Sequence, residues 1–164
     1  MRSIRWLVLF VLFGAAGAAP ASAAEVAGGE AAKVVYHADF ADPRRFSAML
    51  TSIRNMVTTY ESDLRDFDVR IVFVAHGIRF LTEDPLAGTP FAEDEALRAR
   101  RKDLLGRLAA LRDVYKVKLE LCEITRSEAG LPPNKLIPGV ALVPSGVVRI
   151  AELQRQGYAY LKVE

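Results

Sequence analysis

Asp66-Phe67-Asp68-Val69-Arg70-Ile71-Val72-Phe73-Val74-Ala75 is the stretch whose reading decides the fold. Val69, Ile71, Val72, Phe73 and Val74 run too continuously for a strand with one wet face. Burial on both sides is therefore predicted, as for a central strand of a parallel sheet. Upstream, Lys33-Val34-Val35-Tyr36-His37 is a short β-branched run, and Asp39 and Asp42-Pro43 supply the chemistry of a helix start. Phe46, Met49, Leu50, Ile53, Met56, Val57 and Tyr60 then recur at the spacing of one helix face. Downstream, Thr82 to Ala92 holds two prolines and a glycine and reads as a long loop, a surface excursion more than a lid. Glu93 to Tyr115 reads as a second long helix with Leu97, Leu104, Leu105, Leu108, Leu111 and Val114 turned inward and its arginines on a solvated face. Val117–Cys122 and Gly139–Val143 follow as strands. Ser145–Gln156 is a helix capped by Ser145 and ended at Gly157, and Tyr158–Val163 is a last strand. Strand and helix alternating in this way call for an α/β fold with a parallel sheet and helices on both faces, because crossovers return over the sheet with one hand.

The ends and the composition set the setting. Arg2 and Arg5, the apolar run Trp6–Ala19 and the small residues Pro20-Ala21-Ser22-Ala23-Ala24 read as a secretory signal peptide over residues 1–24, cleaved after Ala23 or Ala24. The run is shorter than the ~20 residues a spanning helix needs, so no stable membrane span is expected after cleavage. A periplasmic or secreted location follows. Residues 25–32 are Gly/Ala-rich and read as a flexible leader, with a single domain over 33–164. The chain of 164 residues is 51% hydrophobic and 26% charged, which excludes disorder and a disulfide-knotted mini-protein. Of its 22 basic residues Arg2 and Arg5 fall in the signal, leaving 20 against 20 acidic ones, so global charge offers nothing to a nucleic acid.

Three residues of soft-metal or nucleophile type fall at strand ends, where open α/β sheets carry their crevices: His37 after the first strand, His76 after the second and Cys122 after the third. Should those strands adjoin, the three share one rim. Cys122 is the sole cysteine, so it forms no intramolecular bridge. It is either a packed small hydrophobe or a thiol kept for chemistry. Cys122 to Gly130 reads as a strand entering a short helix capped by Thr125 and stopped by Gly130. That setting lowers a thiol pKa through the helix N-terminus, with Arg126 adding to the effect and Glu123 opposing it. No phosphate loop, G-x-S-x-G elbow or H-E-x-x-H pattern is present, and no cofactor is implied.

The order and spacing of Lys33-Val34-Val35-Tyr36-His37, Val74-Ala75-His76-Gly77, the run Val117–Cys122 with Thr125 and Gly130 behind it, and Gly157-Tyr158-Ala159-Tyr160 resembles the DsrE/DsrF-like sulfur-relay family, over nearly all of Lys33–Glu164. The resemblance implies a three-layer α/β/α sandwich on a five-stranded, largely parallel sheet, assembled as a homo-oligomer, trimer or hexamer. It also implies that Cys122, at the end of Tyr115-Lys116-Val117-Lys118-Leu119-Glu120-Leu121-Cys122, takes sulfur as a persulfide and hands it to a partner thiol. The partners would be sulfur-donor and sulfur-acceptor proteins or small sulfur species, with His37, His76, Thr125 and Arg126 supporting the site. Two other readings stand beside it. His37, His76 and Cys122 could together hold zinc or copper with one position open. Alternatively, the chain is a non-catalytic oligomeric interaction subunit with Cys122 merely packed.

Overall fold

A computed structural model describes residues 31–164; the expected signal peptide over 1–24 and most of the expected leader over 25–32 lie outside the described residues. The strands are β1 (Ala32–Ala38), β2 (Phe67–Phe73), β3 (Lys118–Cys122), β4 (Val140–Val143) and β5 (Ala159–Leu161). The helices are α1 (Pro43–Ser62), α2 (Glu95–Asp113), α3 (Glu123–Glu128) and α4 (Gly146–Arg155). β1 takes in Ala32, placed in the leader by composition, because its side chain is buried and its N–H donates to Asp66 O at 2.8 Å.

The strands form one five-stranded sheet in the order β4-β3-β2-β1-β5, every pair parallel. β2 sits at its centre and buries Val69, Ile71, Val72 and Phe73, as a strand covered on both faces requires. The period of two then sorts the side chains. Val34, Tyr36, Ala38, Val69, Ile71, Phe73, Leu119 and Leu121 join the large core with Phe46, Met49, Leu50 and Ile53 of α1 and Leu97, Leu104 and Leu108 of α2. On the other face Val35 and Val72 pack with Ile150 and Leu153 of α4 and with Tyr158. The chain steps from β1 to β4 in one direction and then reverses to reach β5, which sends α4 to the opposite face. The result is a three-layer α/β/α sandwich.

Local chemistry fixes the helix starts. Asp42 caps α1 through Arg44 N–H at 2.7 Å, and Asp94 caps α2 through Leu97 N–H at 2.8 Å. Ser145 occupies the N-cap position of α4, yet its hydroxyl makes no capping bond. The basic stripe of α2 is less solvated than its sequence suggests. Arg101 is clamped to Glu93 at 2.8 Å and reaches the carbonyls of Arg79 and Thr82, and Arg107 binds Ser47 Oγ at 2.6 Å, so both tie α2 to its neighbours.

The loop Thr82–Ala92 is packed down. Thr82, Leu86 and Phe91 are buried, and Thr82 pairs with Leu136. Leu86 and Phe91 join the α1/α2 core, so this segment covers the face away from α4.

Candidate functional site

β3 alternates so that Glu120 and Cys122 face α4 while Leu119 and Leu121 enter the large core. At the carboxyl end of β3 the following segment turns toward the α1/α2 core through Ala129 and Leu131, whereas the segment after β4 enters α4 on the other face. Adjacent strands whose connections leave to opposite faces open a crevice between them. Cys122 sits at that point, in register with Val143 of β4.

Cys122 is the last residue of β3 and the N-cap of α3, and it is 4% exposed. Gly146, the first residue of α4, lies directly over it. A Cβ on Gly146 would come within 2.6 Å of Val74 Cγ2 and 3.1 Å of Cys122 Cβ, so glycine lets the helix backbone approach the sulfur. Burial alone would push the Cys122 thiol up. The N–H of Gly146, the N–H and hydroxyl of Thr125 and the N–H of Ile124 outweigh it and hold the thiol below its ordinary value. The neutral side chain makes no capping hydrogen bond. The surrounding donors act once the sulfur carries charge.

Thr125 is the third residue of α3 and not its cap. Helical conformation begins at Glu123, so the capping position falls on the last residue of β3, Cys122 itself. The Thr125 hydroxyl oxygen accepts from Ala75 N–H at 3.0 Å, joining α3 to the turn after β2, where Ala75 has a left-handed φ of 47°. Arg126 does not act on the thiol. Its guanidinium is paired with Glu123 at 2.5 and 2.8 Å and bonds Leu131 O, so the two charges assigned opposite effects on Cys122 are spent on each other. The thiol moves in the direction read from sequence and through the helix-start N–H groups read there; the Gly146 N–H and the Thr125 hydroxyl add to them, in place of Arg126.

The two histidines stand apart from the sulfur. β2 lies between β1 and β3, so His37 is two strand spacings, roughly 10 Å, across the sheet from Cys122. It pairs in register with Val72, which pairs with Glu120, two residues short of Cys122. His37 is the penultimate residue of β1 and shares a hydrogen bond between its Nδ1 and the Tyr160 hydroxyl at 3.0 Å. Burial lowers its pKa, opposed by Asp39 and aided by Lys162 and Arg45. His76 lies in the 3-10 turn Ala75–Phe80 and meets Phe91 edge to face at 5.5 Å. Phe91 belongs to the α1/α2 core, so His76 is turned to the layer opposite Cys122. Among the described residues no group of three or more His, Cys, Asp or Glu side chains is placed to hold a metal ion. The three-residue metal centre is therefore not assembled in this structure.

Sequence reasoning passed over the ion network beside the sulfur. Glu120, 4% exposed, accepts from Arg70 at 2.7 Å and from Arg149 of α4 at 2.6 and 2.9 Å. Arg70 also binds both oxygens of Asp68 and the Tyr158 hydroxyl, and Lys118 reaches Asp68 at 2.6 Å. The signal was present: a glutamate on a strand whose two faces are both covered by helices requires a cationic partner.

Burial alone would raise the carboxyls of Glu120 and Asp68. The bonds from Arg149 and Arg70 to Glu120, and from Arg70, Lys118 and Tyr158 to Asp68, outweigh it and hold both below the usual carboxylate range. Depressed carboxyl pKa values contribute stability that is complete above the unfolded-state values, near pH 4, and lost as pH falls through the lower folded-state values. Thermal melting of the chain from residue 25 onward is accordingly expected to decline gently from about pH 7 to 5, where the unfolded chain protonates His37 more readily than the folded one, and to drop steeply below about pH 4. A melting temperature that rose on acidification would contradict this assignment.

The geometry can be set beside known proteins. No curated protein matches the chain. Among solved structures, a protein of unknown function from Methanobacterium thermoautotrophicum, MTH1491, is 25% identical with a TM-score of 0.60, over 80% of this chain and 98% of that one. The ychN protein of E. coli is 21% identical with a TM-score of 0.49, over the same shares of 80% and 98%. A family model, DsrE/DsrF-like, matches residues 30–163. With the parallel five-stranded α/β sheet and a match spanning nearly the whole described chain, the protein belongs to the DsrE/DsrF-like family.

Proposed function

We propose that the protein is a sulfur carrier working through Cys122. As a thiolate, Cys122 attacks the terminal sulfur of a donor persulfide. The donor S–S bond breaks, the donor leaves as its thiolate, and a new S–S bond joins Cys122 to the transferred sulfur, which keeps its proton. In the second half the acceptor thiolate attacks that terminal sulfur and Cys122 leaves as thiolate. One sulfur moves with no net oxidation or reduction. The observation that supports this reading is the set of N–H groups from two helix starts around the chain's sole cysteine, which favours the thiolate as nucleophile and as leaving group. No second cysteine competes to close an intramolecular disulfide.

At 4% exposure, Cys122 is served by a small sulfur species or by a partner that shifts its cover. Ile124 of α3 and Val147 and Val148 of α4, all exposed, give the two helices that start beside Cys122 apolar surface suited to a protein partner or a further copy of this chain. The expected setting is the periplasm or cell exterior after removal of residues 1–24, with the chain as a homo-oligomer.

Incubating the chain without its signal with polysulfide or a persulfidated donor, followed by intact mass measurement, is expected to show the gain of sulfur on the native protein and none in Cys122→Ser. Equal gain in both, or none in either, overturns the proposal. Size-exclusion with light scattering reads the assembly separately, and a monomer at all concentrations removes the oligomer from it.

A further inference from the structure

Two residues of α4 one turn apart meet two residues of β3 on one face of the sheet. Gly146 lies over Cys122, and Arg149 grips Glu120 with a fork of two bonds at 2.6 and 2.9 Å. Glu120 is itself held by Arg70 of the central strand at 2.7 Å, so its carboxylate is an anchor fixed to the sheet. α4 has no capping bond from Ser145 to set its first turn, and Val147 and Val148 are exposed. Ile150 and Leu153 seat the body of this helix on the sheet, and its first turn is held by the close approach of Gly146 and the ion pair one turn later.

We propose that the Arg149–Glu120 pair is a positioning clamp that seats the first turn of α4 over Cys122, making Glu120 and Arg149 positioning residues of the sulfur site. The functional meaning of the clamp rests on the sulfur-carrier reading; its structural action does not. Slackening the clamp withdraws the Gly146 N–H from the sulfur, and the thiolate loses one of its donors. The elements packed against Cys122 carry Asp68 and Arg70 on β2, Lys118 and Glu120 on β3, Glu123, Arg126 and Glu128 on α3, and Arg149, Glu152 and Arg155 on α4. Glu123 and Arg126 neutralise each other, and His76 is turned toward Phe91. This allows positioning to be told apart from direct charge. Removing the Glu120 carboxylate as a mere neighbouring charge would ease ionisation of the thiol and lower its midpoint. Removing it as the anchor of α4 raises the midpoint.

The experiment is a pH titration of thiolate ultraviolet absorbance in the wild-type chain, Glu120→Gln and Arg149→Lys, with Cys122→Ser as the blank. Glu120→Gln is expected to shift the midpoint upward by about one pH unit, a roughly tenfold smaller thiolate fraction at neutral pH. Arg149→Lys keeps the charge but not the planar fork, and is expected to shift the midpoint in the same direction by less. A midpoint unchanged or lowered in Glu120→Gln overturns the clamp, even with a reduced melting temperature. If Glu120→Gln does not fold, Arg149→Lys decides, and an unmoved midpoint there overturns it equally. Wild-type protein that loads sulfur with an unmoved midpoint in the variants sinks the clamp alone. Shifted midpoints with no sulfur loading sink the carrier reading alone.

Discussion

Replacing Gly77 with alanine is expected to destabilise the fold by about 3 kcal/mol, lowering the melting temperature by roughly 10 °C. A Cβ at this position would stand 2.1 Å from the carbonyl oxygen of Ala38 and 3.0 Å from its carbonyl carbon. Those atoms are backbone of β1, so no rotamer change relieves the overlap. The same carbonyl accepts Val74 N–H at 2.9 Å, so moving it would disturb the end of the β1–β2 pairing. Gly77 N–H also closes the turn onto Val74 O at 2.9 Å. The strained piece would be the turn that carries Ala75 and, through it, Thr125 at the edge of the site. A calorimetric or circular-dichroism melt of the variant checks the effect, and a loss under about 1 kcal/mol would show that the turn can move away from β1 at little cost.

Glu120→Ala is expected to be of similar size, about 3 kcal/mol, for a different reason. It leaves Arg70 and Arg149 facing each other across a buried site with no anion between them. Both guanidiniums keep some contact with solvent, and Arg70 retains Asp68, which holds the loss toward the lower end for a broken buried pair. The double variant Glu120→Ala with Arg149→Met is expected to recover part of the loss, because removing one uncompensated cation relieves the repulsion. Denaturant unfolding of the two singles and the double measures this. Strict additivity would show that Arg149 and Glu120 do not act as a pair.

The amino-acid pattern carried the architecture well because the architecture rests on periodicity. The run from Val69 to Val74, interrupted only by Arg70, is central because both of its faces are covered. Leu97, Leu104, Leu108 and Leu111 of α2 turn inward as spaced, whereas Leu105 is half-buried and Val114, one residue past the end of the helix, is exposed. Strand order is a long-range property with no local trace, and that is why His37 and Cys122 could be placed on one rim. The interposed β2 separates them. The cover over Cys122 was equally hidden, since it comes from Gly146, more than twenty positions away in the chain, and a glycine chosen for close approach looks like any helix-start glycine. Thr125 was misread as a cap because threonine fits that position in many helices, whereas here Cys122 takes it and Thr125 serves Ala75. Arg126 looked available to the thiol only because its engagement with Glu123 depends on helical spacing, at i and i+3, within a helix whose start had been set too late.

The adjacency of β1 and β5 bears on how the molecule is made. Val34 at one end of the sequence pairs with Ala159 near the other. The first strand therefore acquires its second neighbour only through a loop closure that spans almost the entire domain, the costliest contact in entropic terms and one that favours slow folding. Until residues 159–161 have emerged, the flank of β1 presents unpaired amides and carbonyls on which a stray strand can template. A chain threaded through a membrane from its N-terminus would stay in that vulnerable state for the whole of its passage, so a holdase that masks β1 during transit would raise the yield of native protein.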